Sequence, residues 1–191
     1  KKMLNKYNMI LDSPIATERL ILRSLTREDA SQKYLNWLRD KEITKYLEVR
    51  FSPPKNLIEL EKYIQDISKN NCDLLLGIFL QDDICTHIGN IKIGPIVKIH
   101  RRAEIGIMIG DKHSWGHGYA SESICAITQY IFEKFGLHQI MAGLYNRNVG
   151  SYKAFLKSGY LEEARLKDYW LCDGSFQDQI LMYKLYEGCH G

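Results

Sequence analysis

The hydrophobic positions of this chain change period several times, and each change predicts an element. Leu20, Leu22 and Leu25 form a short, imperfect alternation, which predicts a strand over residues 19–25. Thr26 follows, with Asp29 three residues on. A hydroxyl that caps free N–H groups and a carboxylate at the positive helix end predict a helix start there. Ala30, Tyr34, Trp37 and Leu38 carry that helix along one face to about residue 39. Residues 1–16 show no firm period and read as a loose arm. Ile43, Tyr46, Leu47 and Val49 form a second apolar group, closed by Pro53 and Pro54. Asn56 and Glu59 open another helix, in which Leu57, Leu60, Tyr63, Ile64 and Ile67 recur at helical spacing before Asn70 and Asn71.

The middle of the chain reads as sheet. Residues 73–80 are apolar and strand-length, residues 81–83 are turn-forming, and residues 84–93 contain Ile88, Ile91 and Ile93. Gly89 interrupts that strand, the mark of a bulge or a close backbone approach. A basic loop with Lys98, His100, Arg101 and Arg102 leads to a third strand over residues 103–110. Short links imply antiparallel neighbours. A loop then precedes a helix from Tyr119, with Ile124, Ile127, Ile131 and Phe135 on one side and Gly136 as its C-terminal cap. A strand over 137–144, a short helix over 149–157 and two strands over 160–171 and 179–185 complete the chain. Asp173, Gly174 and Ser175 between the last two suggest a hairpin. The order β-α-α-β-β-β-α-β-α-β-β predicts an α+β or α/β chain with a mixed sheet covered by helices. Residues 103–144 supply the crossover that a parallel pair needs.

Composition narrows the function classes. At 191 residues, 45% apolar and 26% charged, the chain reads as one domain able to bury its own core. The net charge of +3 is too mild for a dedicated nucleic-acid binder and does not exclude an anionic small ligand. The longest apolar run, residues 74–80, is far short of the roughly 20 residues of a membrane span. Lys1 and Lys2 lead no apolar stretch of the signal-peptide kind. Cys72, Cys85, Cys125, Cys172 and Cys189 form no CxxC pair, which fits a reducing compartment and a cytoplasmic protein.

Residues 113–120, His-Ser-Trp-Gly-His-Gly-Tyr-Ala, are the informative stretch. Gly116 and Gly118 lie between a strand and a helix, so backbone N–H groups converge where a helix adds its own free donors and positive dipole end. That arrangement takes a phosphate or diphosphate. It also serves as a plain tight turn. It is neither GxxxxGK[ST] nor GxGxxG, so nucleotidase and Rossmann readings gain nothing. Asn148, Ser151 and Gly159 bound the short helix, a pattern equally suited to an ordinary capped helix. His113 and His117 are four apart but no third ligand is evident, so no metal site is expected.

Several blocks in order resemble the GCN5-related N-acetyltransferases, GNAT enzymes, and within them the branch that acetylates ribosomal-protein N-termini and amino sugars. The blocks are residues 17–23 (TERLILR), Asp29-Ala30, residues 34–38 (YLNWL), residues 42–47 (EITKYL), Gly116 with Gly118, and Asn148, Ser151, Gly159 and Tyr160. The resemblance covers about residues 17–185 of a single domain spanning 1–191. His113 stands where the family's loop usually has Gln or Arg. The resemblance implies a mixed, mostly antiparallel twisted sheet in three layers, with strands 103–110 and 137–144 parallel and splayed. It implies acetyl-CoA as cosubstrate, and no metal. The pantetheine arm would bond to backbone around Ile107, Met108 and Ile109. The pyrophosphate would sit on the amides of Trp115, Gly116, His117, Gly118, Tyr119 and Ala120, with His113 beside them. Asn148 and Ser151 would face the arm or the thioester.

The reaction so implied is direct attack of a primary amine on the thioester. The amine must lose a proton first, since an alkyl ammonium has a pKa near ~10. A backbone N–H near Met108 is the expected oxyanion donor. Glu104 is the expected base, by its place in the AEIGI strand. Where many relatives carry an acidic Tyr this chain has Phe155, so Tyr152, on the face of Asn148, is the alternative acid. Acceptor choice is expected from Trp37, Tyr46, Arg50, Phe51, Arg101, Arg102, Tyr169 and Trp170, toward a peptide N-terminus or a nucleotide-linked amino sugar. A polyamine would favour an acidic cluster that the sequence does not show. The molecule is expected as a monomer or homodimer. The competing reading is a catalytically idle acyl-CoA-binding module.

Overall fold

The computed structural model describes residues 11–172 and 174–188. Eight strands form one sheet in the order β1-β2-β3-β4-β5-β6-β8-β7. They are β1 (Ile15–Ala16), β2 (Leu20–Ser24), β3 (Leu74–Leu80), β4 (His87–Ile93), β5 (Arg102–Ile109), β6 (Gln139–Tyr145), β7 (Leu161–Cys172) and β8 (Ser175–Leu185). The helices are α1 (Gln32–Arg39), α2 (Lys41–Thr44), α3 (Leu57–Lys69), α4 (Tyr119–Phe135) and α5 (Val149–Lys157). All pairings are antiparallel except β5 with β6. The expected mixed, mostly antiparallel sheet covered by helices is therefore present. Among the described residues no helix is long and apolar enough to cross a membrane.

Alternation along the strands feeds two apolar layers. On one face Leu20, Leu22, Leu76, Ile78, Ile91 and Ile105 pack with Ile124, Ile127 and Ile131 of α4 and with Phe155 and Tyr160. On the other, Leu25 and Phe79 pack with Tyr34, Leu35, Trp37 and Leu38 of α1 and with Leu60 and Ile64 of α3. Phe155 is fully buried against the Tyr160 ring, which explains a residue without a proton at that place.

Four boundaries differ from the sequence reading. The first helix is split: Arg27–Asp29 is a single 3-10 turn, Ala30 is extended, and Ser31 caps a new helix by accepting from the Tyr34 N–H. Thr26 and Asp29 do form their capping box, but on that turn. β1 lies inside the stretch read as a loose arm, the rest of which, residues 1–10, falls outside the described residues. The strand expected from residue 84 starts at His87, because Asp82 holds the Thr86 N–H and hydroxyl at 2.8 and 2.6 Å in a turn. The strand expected from residue 179 starts at Ser175 and gives the expected hairpin with β7. Gly89 is a close approach, as expected: a Cβ there would collide with the Met108 carbonyl oxygen.

The parallel pair is joined only at Arg102–Gln139, Ala103–Ile140 and Glu104–Met141. Beyond Glu104 the two strands separate. Residues from Ile105 to Ile109 thus keep β4 on one side and an open edge on the other.

Candidate active site

That open edge is one wall of a cavity of about 730 Å³. Its floor and sides come from Ile107, Met108 and Ile109 of β5, the loop before α4, the first turn of α4, the start of α5, and α2 with the residues after it. Ligand pockets at the carboxyl ends of separating strands are a general property of such sheets.

The backbone of β5 alternates between its two sides. Gly94 N–H donates to the Glu104 carbonyl at 2.8 Å and Gly110 N–H to the Ile88 carbonyl at 2.9 Å. The even-numbered residues therefore face β4, and Met108, paired with Asn90, is among them. The groups aimed into the gap belong to Ile107 and Ile109. The Met108 side chain lines the cavity, but its N–H is directed to β4.

The glycine loop is open and conformationally special. Gly116 and Gly118 have φ of +78° and +83°, where a side chain is strained. A Cβ on Gly116 would meet nothing within 4 Å, and one on Gly118 would lie 3.6 Å from Arg19 Nη2 and 3.9 Å from Lys157 Nζ. Trp115, Gly116 and Gly118 of the loop and Tyr119, Ala120 and Ser121 of α4 line the cavity, and the first amides of a helix are free donors. Three anchors hold the loop. Lys112 bridges Asp40 and Glu42 at 2.8 and 2.6 Å, Trp115 Nε1 donates to the Ile109 carbonyl at 2.8 Å, and Arg19 donates to the His117 carbonyl at 3.1 Å. Open space, fixed donors and flanking cations fit a diphosphate.

Ten residues expected to hold the cosubstrate line this cavity: Ile107, Met108, Ile109, Trp115, Gly116, Gly118, Tyr119, Ala120, Asn148 and Ser151. Asn148 also caps α5, its Oδ1 accepting from the Ser151 N–H at 3.3 Å. His113 and His117 are exposed and do not line it. His117 Nδ1 lies 2.9 Å from the Trp115 carbonyl and its ring stacks on Tyr119.

The two expected proton carriers stand away from the cavity. Glu104 is exposed, at the last position of β5 paired with β6, four residues or roughly 13 Å of strand before Met108. Tyr152 donates its hydroxyl to Glu162 at 2.9 Å, and Glu162 is held in turn by Arg165 at 2.6 Å. The carboxylate partner raises the Tyr152 phenol. Of the carboxylates, Glu42 lines the cavity and is tied to Lys112.

A polar cluster beside the cavity was not anticipated as a unit. Tyr145 is buried at the end of β6, its hydroxyl 2.8 Å from Arg50 Nη2 and 3.4 Å from Glu48 Oε1. Burial raises this phenol, against the pull of Arg50. Tyr46, which lines the cavity, and Trp170 pack on the Tyr145 ring with centroids 5.4 and 5.0 Å away. Of the expected acceptor residues, Tyr46, Arg50 and Trp170 thus meet here, and Tyr169 packs on Trp170. Phe51 is exposed beneath the Arg50 guanidinium. Trp37 is core, packed over Gly110 where a Cβ would collide with its ring. Arg101 is held at the start of β5 by the Gly136 carbonyl, and Arg102 pairs with Gln139, so both lie at the opposite end of that strand.

The splayed parallel pair and the open glycine loop at the neighbouring helix start can be set beside known proteins. The family model for the acetyltransferase (GNAT) domain matches residues 19–161, and the chain belongs to this family as an N-acetyltransferase. It is 32% identical over 170 residues to the N-acetyltransferase YoaA of Bacillus subtilis, covering 86% of this chain and 92% of that one. It is 32% identical over 119 residues to the ribosomal protein uS5-alanine N-acetyltransferase of Escherichia coli, covering 62% of this chain and 60% of that one. Among solved structures, spermidine N-acetyltransferase from Vibrio cholerae, in complex with CoA and spermine, superposes with a TM-score of 0.77 at 27% identity. It covers 88% of this chain and 96% of that one.

Proposed function

We propose that the protein transfers an acetyl group from acetyl-CoA to a primary amine by direct attack. The observation that carries this reading is the cavity itself, in which the open edge of β5 runs into the cradle at Gly116 and Gly118. Acetyl-CoA would supply an activated thioester. The diphosphate would rest on the amides from Trp115 to Ala120, and the pantetheine arm on the gap-facing groups of Ile107 and Ile109. By strand register the N–H of one of these two, both next to Met108, would be the oxyanion donor.

Proton removal is assigned to Glu48, directly or through one water. It sits next to lining residue Leu47 and within reach of the Tyr145 hydroxyl, while Glu42 is committed to Lys112. A coenzyme thiolate leaves without a dedicated acid, so the seat of Tyr152 on Glu162 does not obstruct the reaction.

The acceptor is a peptide N-terminus or a nucleotide-linked amino sugar. Lys45, Arg147, Lys153 and Lys157 line the cavity, against one carboxylate, Glu42, already paired. Such a lining repels a polycation like spermidine.

The test is acetyl transfer from acetyl-CoA into a pool of free-amine peptides, nucleotide-linked amino sugars, polyamines and aminoglycosides, resolved by mass. A peptide or amino-sugar product is expected. An acetylated polyamine would overturn the acceptor assignment, and CoA binding without any product would favour an idle binding module.

A further inference from the structure

Arg19 does not line the cavity, yet its guanidinium lies against the glycine loop. Nη1 donates to the His117 carbonyl at 3.1 Å, and the guanidinium carbon lies 4.7 Å from the Tyr119 ring centre. Nε and Nη2 reach Glu122 Oε2 at 2.8 and 2.6 Å. The Arg19 backbone N–H and the Thr17 hydroxyl reach Glu122 Oε1 at 3.0 and 2.5 Å. Thr17 and Arg19 therefore direct four donors at one carboxylate.

That carboxylate is in an awkward place. Glu122 belongs to the first turn of α4, whose leading residues line the cavity. An acidic side chain there favours the helix but repels an anion docked at the same end. Burial pushes the Glu122 carboxyl up, but the bonds from Thr17 and Arg19 outweigh it and keep it ionised. A compensating cation is needed, and the Arg19 guanidinium is the one in contact. Its Nη2 also lies 3.6 Å from the point a Cβ on Gly118 would occupy, facing Lys157 across the cradle.

We propose that Arg19 is a positioning residue for the cosubstrate's diphosphate. It cancels the Glu122 charge and fixes the His117 carbonyl, so the start of α4 presents a net positive, rigid donor set. This rests on the acetyl-CoA reading above. It assigns the Thr17-Glu18-Arg19 segment, a hundred residues before the loop, to cosubstrate affinity.

The experiment is calorimetric titration with CoA of the wild type and of R19Q, E122Q and the R19Q/E122Q pair, with thermal midpoints recorded in parallel. R19Q is expected to weaken CoA binding about tenfold, because it leaves Glu122 uncompensated beside the diphosphate. The double variant is expected to bind CoA several-fold better than R19Q alone, although it has lost one more set of native bonds. A merely structural clamp predicts the reverse, with the double variant no better than R19Q. R19Q at wild-type affinity, or a double variant at or below R19Q, overturns the proposal. Should R19Q not fold, R19K decides: it keeps the charge and is expected within about threefold of wild type, and a tenfold loss overturns the proposal. Failure of the acetyl-CoA reading looks different, since the wild type itself would then bind no CoA.

Discussion

At the scale of single residues, the proposed reaction divides the site into positions that would hold an anion and positions that would move a proton. Gly118 belongs to the first group. At φ +83° a β-branched residue is strained, and its side chain would intrude between Arg19 and Lys157. Gly118→Val is expected to reduce CoA affinity at least tenfold in a binding titration, and unchanged affinity would remove the diphosphate from this loop. Glu48 belongs to the second group. Glu48→Gln is expected to lower kcat by about tenfold to a hundredfold, with CoA affinity held. Glu104→Gln and Tyr152→Phe are expected to leave turnover near wild type. A kcat lowered by Glu104→Gln instead would return the base to the AEIGI strand. The glycines were legible because only positive φ and open space call for them in that pattern. The Tyr145 cluster was not, because Glu48 and Arg50 stand 97 and 95 residues from Tyr145 in sequence. The one available signal was an aromatic hydroxyl at the carboxyl end of a strand beside the crossover.

At the scale of elements, helices with strong caps read well and short pieces did not. Asn56 caps α3 where the sequence placed it, accepting from the Glu59 N–H at 2.9 Å. The first predicted helix merged two elements because Tyr34, Trp37 and Leu38 share one face with Ala30, and nothing in that period reveals the extended Ala30. Ser31, a second capping residue, was the overlooked break. β1 has two residues and so no period at all. The 3-10 turn between β2 and α1 also carries a pH prediction. Burial pushes the Asp29 carboxyl up, but the Arg23 guanidinium at 2.6 and 2.8 Å and the Thr26 N–H at 2.7 Å pull it further down. A carboxyl lowered in the folded state stabilises the protein above its unfolded pKa, near ~3.9, and that stability is lost as pH falls through the lower folded value. The thermal midpoint is therefore expected to drop below about pH 4. Asp29→Asn should lower the midpoint at pH 7 and flatten that acid limb. An unchanged limb would mean that other carboxylates govern it.

At the scale of the whole molecule, the sheet is continuous in strand order but not in strength. β1 to β5 form one antiparallel block and β6 to β8 another, and three pairings join them. The sequence announced the crossover and seven of the eight strands, all but the two-residue β1. It did not announce where the parallel ladder stops, because Ile105, Ile107 and Ile109 would suit a fully paired strand as well as an open edge. The family resemblance, not the period, supplied the splay.

That narrow seam has a consequence for how the protein breathes. Two blocks joined by so few backbone pairings are candidates to open as separate cooperative units. Amide hydrogen exchange read by mass spectrometry should show residues 74–93 and 139–185 exchanging as distinct populations in the free protein. A molecule lying along the gap would tie the blocks together, so saturating CoA should merge the two populations into one slower unit. A single population in both states would mean that α4 and α5, packed across the seam, already lock the sheet. Exchange that merges with CoA would make the enzyme's cosubstrate the last strand of its own fold.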